Sequence, residues 1–175
     1  MASSTQKKLL FVFATTLEAQ CFKITEHFFF TGMGPNKVRS ALISSVLKGY
    51  NEIWNIGFAG ALHKNLPFGS IHEISFIGRH ESDRSFQIQA EGKKLITFDQ
   101  PLHDPILRDQ LSLTWDLVDM EGYAIAEIAK AENIPCRFIK IVSDNADDNT
   151  STSIRENAPK LSLWLHQYCH TKQRI

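Results

Sequence analysis

Short, continuous apolar runs alternate along the chain with longer amphipathic segments. The short runs are typical of strands buried on both faces of a sheet. We predict one such strand at 9–14, and further strands at 27–30, 52–58, 71–77, 85–89, 93–98, 117–120 and 137–142. Apolar residues at helical spacing predict helices from about residue 17 and at 36–48, 104–113, 123–132 and 158–170. Strands alternating with helices indicate one α/β domain over 1–175, with a largely parallel sheet.

The polar stretch at 144–153 has no apolar periodicity and predicts a mobile loop. Within it, Asp147, Asp148 and Asn149 resemble a calcium loop only superficially, because the glycine and the closing glutamate are missing at the required offsets. The histidines and cysteines form neither an HExxH motif nor a CxxC pair. We therefore expect no metal and no cofactor.

Charge and composition narrow the function further. The 175 residues are 43% hydrophobic, with 19 basic and 19 acidic side chains. This balance gives no global positive field to hold nucleic acid or an anionic membrane. The apolar run at 9–14 is too short to cross a bilayer, and we interpret it as a first strand and not as a signal peptide. Three widely spaced cysteines favour a reducing compartment, so we expect a cytoplasmic protein.

Three carboxylates follow predicted strands, at positions where an open α/β sheet presents its ligand crevice. They are Glu18, Glu121 and Asp144. Taken singly, each has a structural alternative: Glu18 complements a helix dipole, Glu121 caps the next helix and Asp144 closes a turn. Met120, beside them, is as a single residue more often part of a core. Together, the acids predict acid/base chemistry on a neutral or cationic substrate.

The chain resembles the nucleoside phosphorylase and nucleosidase superfamily, above all its hydrolytic branch of methylthioadenosine/S-adenosylhomocysteine nucleosidases and futalosine hydrolases. The matching segments run in the family's order and cover most of the chain. They are FATTLEA (13–19), TGMGP (31–35), NIGFAGA (55–61), FGSI (68–71), VDMEG (118–122) and VSD (142–144). The resemblance implies a three-layer α/β/α fold around a mixed, partly closed sheet, a purine nucleoside as ligand and a homodimer.

The resemblance also implies roles for the acids. Asp144 matches a general acid that protonates N7 of the purine, and Glu18 matches the residue that positions and deprotonates the water. Glu121 matches the residue that grips the ribose hydroxyls, with Met120 beneath the sugar. A carboxylate at position 18, where phosphorylases carry an arginine, favours hydrolysis. An aspartate at 144 favours a 6-amino over a 6-oxo purine, although Asn145 next to it offers an alternative reader of that position.

The expected substrate pocket includes Phe58, Gly60 and Ser143 besides these residues. The chain is shorter than most family members between about 77 and 115, and two alternatives replace the missing base-binding loop. Either Phe98 stacks on the purine, or Pro101 and Leu102 supply a backbone contact. Phe58 stands where adenosine-specific nucleosidases usually have serine.

The shortened segment between about 77 and 115 implies a shorter lid and a more open site, which favours a substrate with a bulky 5′ group. The resemblance then implies hydrolysis of aminodeoxyfutalosine or futalosine in menaquinone biosynthesis. The first alternative is a methylthioadenosine/S-adenosylhomocysteine nucleosidase. More remote alternatives are a nucleoside phosphorylase and a non-catalytic nucleoside-binding protein.

Overall fold

A computed structural model describes residues 8–23, 27–147 and 150–173 of the chain. These ranges contain eight strands and five helices. The strands are β1 (Leu9–Phe13), β2 (Phe28–Phe30), β3 (Glu52–Ala61), β4 (Ile71–Arg79), β5 (Ser85–Gln87), β6 (Lys93–Thr97), β7 (Leu117–Asp119) and β8 (Cys136–Asp144). The helices are α1 (Pro35–Ala41), α2 (Ser44–Leu47), α3 (Pro105–Leu111), α4 (Gly122–Ala131) and α5 (Thr150–Gln173).

All eight strands join one mixed sheet, in the order β2-β1-β3-β7-β6-β4-β5, while β8 pairs with both β3 and β4. Five of the pairings are parallel, namely β1–β2, β1–β3, β3–β8, β4–β6 and β6–β7. The antiparallel pairings are β3–β7, β4–β5 and β4–β8. The predicted α/β class with a mixed, largely parallel sheet is therefore confirmed.

Strand β8 shows how the apolar pattern covers both faces of the sheet. Phe138 and Val142 join the core cluster that contains α4, whereas Ile139 and Ile141 join the cluster that contains α5. Since successive side chains of a strand point to opposite faces, α4 and α5 pack on opposite sides of β8. The mostly apolar sequence of 138–142, interrupted only by Lys140, reflects this burial on two sides.

Two helix predictions near the N-terminus are wrong in detail. Residues 14–22 form turns in place of a helix from Leu17, because the Glu18 carboxylate accepts hydrogen bonds from the Ala14 and Thr15 backbones and folds the segment back on itself. The helix predicted at 36–48 is divided into α1 and α2 by an extended residue, Ile43. Leu42, before the break, and Leu47, after it, lie in the same core cluster.

The loop predicted at 144–153 is also wrong at both ends. Asp144 is the last residue of β8 and α5 begins at Thr150; residues 148 and 149, two members of the resemblance to a calcium loop, lie outside the described residues. The first turns of α5 are polar, with Arg155 and Glu156 exposed, so they carry no apolar period. The rest of the helix follows the prediction, with Leu161 and Leu165 completely buried.

Candidate active site

A cavity of about 260 Å³ lies beside the ends of β1, β3, β7 and β8. It brings together nine of the ten predicted site residues. They are Glu18, Phe58, Gly60, Pro101, Leu102, Met120, Glu121, Ser143 and Asp144. The tenth, Phe98, does not line it: its ring stacks on His80 with the centroids 4.0 Å apart. Of the two predicted registers for the base-binding segment, the structure therefore places the 101–102 register at the cavity.

Glu18 is held by backbone donors from the end of β1 and from within β3. Its Oε2 accepts from the N–H groups of Ala14 at 2.7 Å and Thr15 at 3.0 Å, and its Oε1 accepts from Phe58 at 3.0 Å. Gly57 makes this approach possible, because a Cβ there would lie 2.6 Å from Oε1. The carboxylate is thus fixed over β3 at the wall of the cavity.

Glu121 connects the end of β7 to the loop before α1. Its Oε1 accepts from the backbone N–H of Gly34 at 2.7 Å. Gly34 has φ +90°, a conformation that favours glycine, and it aims its N–H at the carboxylate. The side chain of Met120 also lies against this turn, with its methyl carbon 4.0 Å from the position that a Cβ on Gly34 would take.

The sequence interpretation missed a buried ion pair beneath these acids. Lys140 Nζ lies 2.8 Å from Asp119 Oδ2, and both side chains are only 1% exposed. Asp119 also accepts from Thr97 Oγ1 at 2.7 Å and from the Gly122 backbone N–H at 2.9 Å. A signal was present in the sequence, because a lysine inside an otherwise apolar buried strand needs a partner.

The Lys140 ammonium therefore interacts electrostatically with three carboxyl groups, those of Asp119, Glu121 and Glu18. Burial alone would lower the pKa of Lys140, but Asp119, Glu121 and Glu18 outweigh it and the pKa is raised. Burial raises the pKa of Glu18, against the opposing influence of Lys140 and three backbone donors. Burial, with the negative charges of Asp119 and Glu18, raises the pKa of Glu121 to about 8. Such shifts are typical of acid/base sites.

Asp144 lies on the other side of the cavity, at the end of β8. Its Oδ2 accepts from Ser143 Oγ at 2.5 Å and its Oδ1 accepts from the Ala146 backbone N–H at 2.8 Å. Gly60 leaves space for it, because a Cβ there would lie 3.0 Å from Oδ1. Asn145, the alternative reader of the base, is exposed and does not line the cavity.

A larger, more open groove of about 860 Å³ lies elsewhere, between β4 and α5. Four of its charged side chains are paired with one another, Glu73 with Lys172 at 2.8 Å and Lys93 with Asp116 at 3.2 Å. It contains none of the predicted site residues. We therefore assign the candidate active site to the smaller cavity.

Within the described ranges, no group of three or more histidines, cysteines or carboxylates is placed to hold a metal ion. The helices of the same ranges include none that is long and apolar enough to cross a bilayer.

No protein-family model and no curated protein sequence matches the chain, but solved structures do. MTAN of Chlamydia trachomatis bound to adenine is 25% identical, with 95% of this chain and 97% of that chain covered and a TM-score of 0.79. The Helicobacter pylori 5′-methylthioadenosine/S-adenosylhomocysteine nucleosidase with butyl-thio-DADMe-Immucillin-A is 15% identical, with coverages of 95% and 97% and a TM-score of 0.77. A futalosine hydrolase mutant of H. pylori is 15% identical, with coverages of 94% and 97% and a TM-score of 0.80.

These structural neighbours are nucleosidases of the hydrolytic branch of the nucleoside phosphorylase and nucleosidase superfamily. The chain has their fold over nearly its whole length. The resemblance inferred from the sequence motifs is confirmed at the level of the fold.

Proposed function

We propose that this protein hydrolyses the N-glycosidic bond of a 6-aminopurine nucleoside that carries a 5′ substituent. The observation that carries the proposal is the composition of the cavity. Glu18, Glu121 and Asp144 line one space, and no lysine, arginine or histidine is among the lining residues that the structure describes. The nucleosidase fold supports the same chemistry.

Departure of the purine requires a proton on N7, which Asp144 supplies. The Asp144 carboxyl lines the cavity, where Ser143 Oγ and the Ala146 backbone N–H donate to it, and in its protonated form one of its oxygens donates the proton to N7. The other oxygen can accept from a 6-amino group. A 6-oxo purine offers no such donor, and a mismatched buried polar pair costs about 1–3 kcal/mol.

Attack at the anomeric carbon requires a deprotonated water, which Glu18 provides. A general base works best when its pKa lies near the working pH, and burial moves the pKa of Glu18 upward in that direction. Lys140 limits the shift and so keeps the carboxylate available in its ionised form. During the reaction, the water gives its proton to Glu18 and the purine takes one from Asp144, and solvent restores both groups.

Glu121 and Met120 hold the sugar between these two groups. The Glu121 carboxyl faces the cavity from the end of β7 and hydrogen-bonds ribose hydroxyls, while the Met120 side chain packs below the ring. The ionised Glu18 carboxylate in the same cavity also stabilises the oxocarbenium character that the ribose develops.

Hydrolysis is favoured over phosphorolysis for an electrostatic reason. Phosphate binding needs cationic or N–H donors, whereas the described lining contains Glu18, Asp119, Glu121 and Asp144. Lys140, close to these acids, is already paired with Asp119.

Leu17, Met33 and Ile154 line the same cavity with apolar side chains, and we assign the 5′ substituent to this apolar part. Met33 is 58% exposed, so this part of the cavity reaches solvent and a 5′ group can extend outward past it. Methylthioadenosine, adenosylhomocysteine and aminodeoxyfutalosine all fit this class, and the resemblance favours the last.

A panel of 5′-substituted adenosines, including these three, tests the function through chromatography of released adenine. We expect release by the wild-type protein, and roughly 10²–10⁴-fold slower release by Glu18→Gln with nucleoside binding retained. Binding by the wild type without any adenine release would instead identify a non-catalytic nucleoside-binding protein.

A further inference from the structure

One neighbouring segment, residues 102–111, contacts each of the three residues that follow Asp144. Arg108 Nη1 donates to the carbonyl oxygen of Asn145 at 3.4 Å. The side chain of Ala146 is buried in the cluster that includes Leu102. His103 Nδ1 lies 3.3 Å from the carbonyl oxygen of Asp147. Each of three consecutive residues is thus held from the same side.

Ala146 adopts a backbone conformation that needs such support. Its φ of +50° is in the left-handed region, where a residue with a Cβ is uncommon and persists only when its surroundings hold it there. In this conformation the Ala146 N–H reaches Asp144 Oδ1 at 2.8 Å. The orientation of the Asp144 carboxyl therefore depends on how firmly residues 145–147 are held.

Arg108 is well placed to restrain residues 145–147. Its side chain is only 16% exposed, and Asp109 fixes its guanidinium through bonds of 3.1 Å to Nε and 2.9 Å to Nη2. Asp104 caps α3 by accepting from the backbones of Ile106 and Leu107. Leu102, at the start of the same segment, lines the cavity, so this segment contacts both the base site and the residues behind Asp144.

We propose that Arg108 is a positioning residue for Asp144: through the Asn145 carbonyl it holds Ala146 in its left-handed conformation and so aims the acid at the leaving base. The proposal rests on the hydrolase function proposed above. Arg108 does not line the cavity, so it acts on the protonation of the leaving group and not on the binding of the sugar.

Arg108→Met tests this directly, because methionine keeps an apolar stem and removes the donor. With 5′-methylthioadenosine as substrate, we expect kcat to fall about tenfold and KM to change less than threefold. Arg108→Lys keeps a donor and should recover part of the loss. Arg84→Met, at an exposed arginine outside the cavity, is the matched control and should retain wild-type kcat.

A second substrate separates positioning of the acid from general damage. The 4-nitrophenolate of 4-nitrophenyl β-ribofuranoside leaves without a proton, so its hydrolysis does not require Asp144. Arg108→Met should hydrolyse this riboside within twofold of the wild-type rate. An equal loss on both substrates, or no loss on 5′-methylthioadenosine, would overturn the positioning role.

A double-mutant cycle with Asp144→Asn tests with a single substrate whether Arg108 acts through Asp144. If Arg108 acts through Asp144, adding Arg108→Met to Asp144→Asn should change residual adenine release less than twofold. A further tenfold loss contradicts the proposal. Failure of the hydrolase function itself is recognised separately, because the wild-type protein would then release no adenine from any nucleoside.

Discussion

Replacing Lys140 by methionine tests whether one buried ammonium organises the acids of the cavity. The substitution keeps a flexible apolar stem of similar length and removes the charge. Asp119 then loses its partner at 2.8 Å in a place where both side chains are only 1% exposed. Glu18 and Glu121 lose the positive charge that opposes the upward shift of their pKa values.

The expected loss of stability follows from the geometry of the pair. Two unit charges 2.8 Å apart interact by roughly 6 kcal/mol at an effective dielectric constant of about 20. Breaking a buried pair at one partner typically costs about 3–5 kcal/mol. Thr97 and Gly122 continue to donate to Asp119, so we expect the lower end, about 3 kcal/mol.

The effect on catalysis has a defined sign. Since Lys140 lowers the pKa of Glu18, its removal raises that pKa further, and a larger fraction of Glu18 is protonated at neutral pH. The limb of the kcat/KM profile that reports ionisation of the base should therefore move to higher pH. Part of the lost activity should return as the assay pH is raised.

Urea unfolding and a pH–rate profile with 5′-methylthioadenosine measure the two effects. Lys94→Met, at an exposed lysine, is the matched control and should stay within about 0.5 kcal/mol of the wild type. Adding Asp119→Asn to Lys140→Met removes the orphaned charge and should recover part of the stability. A loss below about 1 kcal/mol for Lys140→Met, together with an unmoved pH profile, would refute the proposed role of the ammonium.

Three further predictions concern single residues of the site. Glu121 has a pKa raised from 4.5 to about 8, so its contribution to folding stability is present below pH 4.5 and is lost as the pH rises through the raised value; Glu121→Gln should make the unfolding free energy less dependent on pH between 5 and 8, and an unchanged dependence would contradict this. Asp144→Asn should bind nucleoside and lose most turnover, while the wild type should prefer an adenine to a hypoxanthine nucleoside by roughly 10- to 100-fold, corresponding to about 1–3 kcal/mol; equal turnover of the two bases would remove Asp144 as the reader of position 6. Gly57→Ala should displace Glu18, because the new Cβ would lie 2.6 Å from Oε1, and should therefore lower kcat. A folded Gly57→Ala variant with wild-type kcat would contradict this prediction.

The sequence predicted most of the strands because short apolar or alternating segments, bounded by turn residues, are typical of strands. It also predicted which acids share the cavity, since Glu18, Glu121 and Asp144 each follow a strand closely. The break at Ile43 and the polar start of α5 were not predictable, because both depend on tertiary packing and leave no local period.

Lys140 and Phe98 show that side-chain contacts between different strands could not be predicted from the sequence. The position of Lys140 inside an apolar strand indicated that it needed a partner, but its nearness to Glu18 depends on the pairing of β8 with β3, which sets Lys140 opposite Gly57. Phe98 was a reasonable candidate for stacking on a purine. It stacks on His80 instead, in a contact between residues from the ends of two different strands.

The most direct test of hydrolysis is to identify the sugar product of 5′-methylthioadenosine with and without inorganic phosphate. Mass spectrometry of the products should show free methylthioribose and adenine in both cases, at equal initial rates, and Glu18→Gln should slow both equally. Adenine release that requires phosphate, with a sugar 1-phosphate as the product, would contradict the assignment of Glu18 as the residue that activates water.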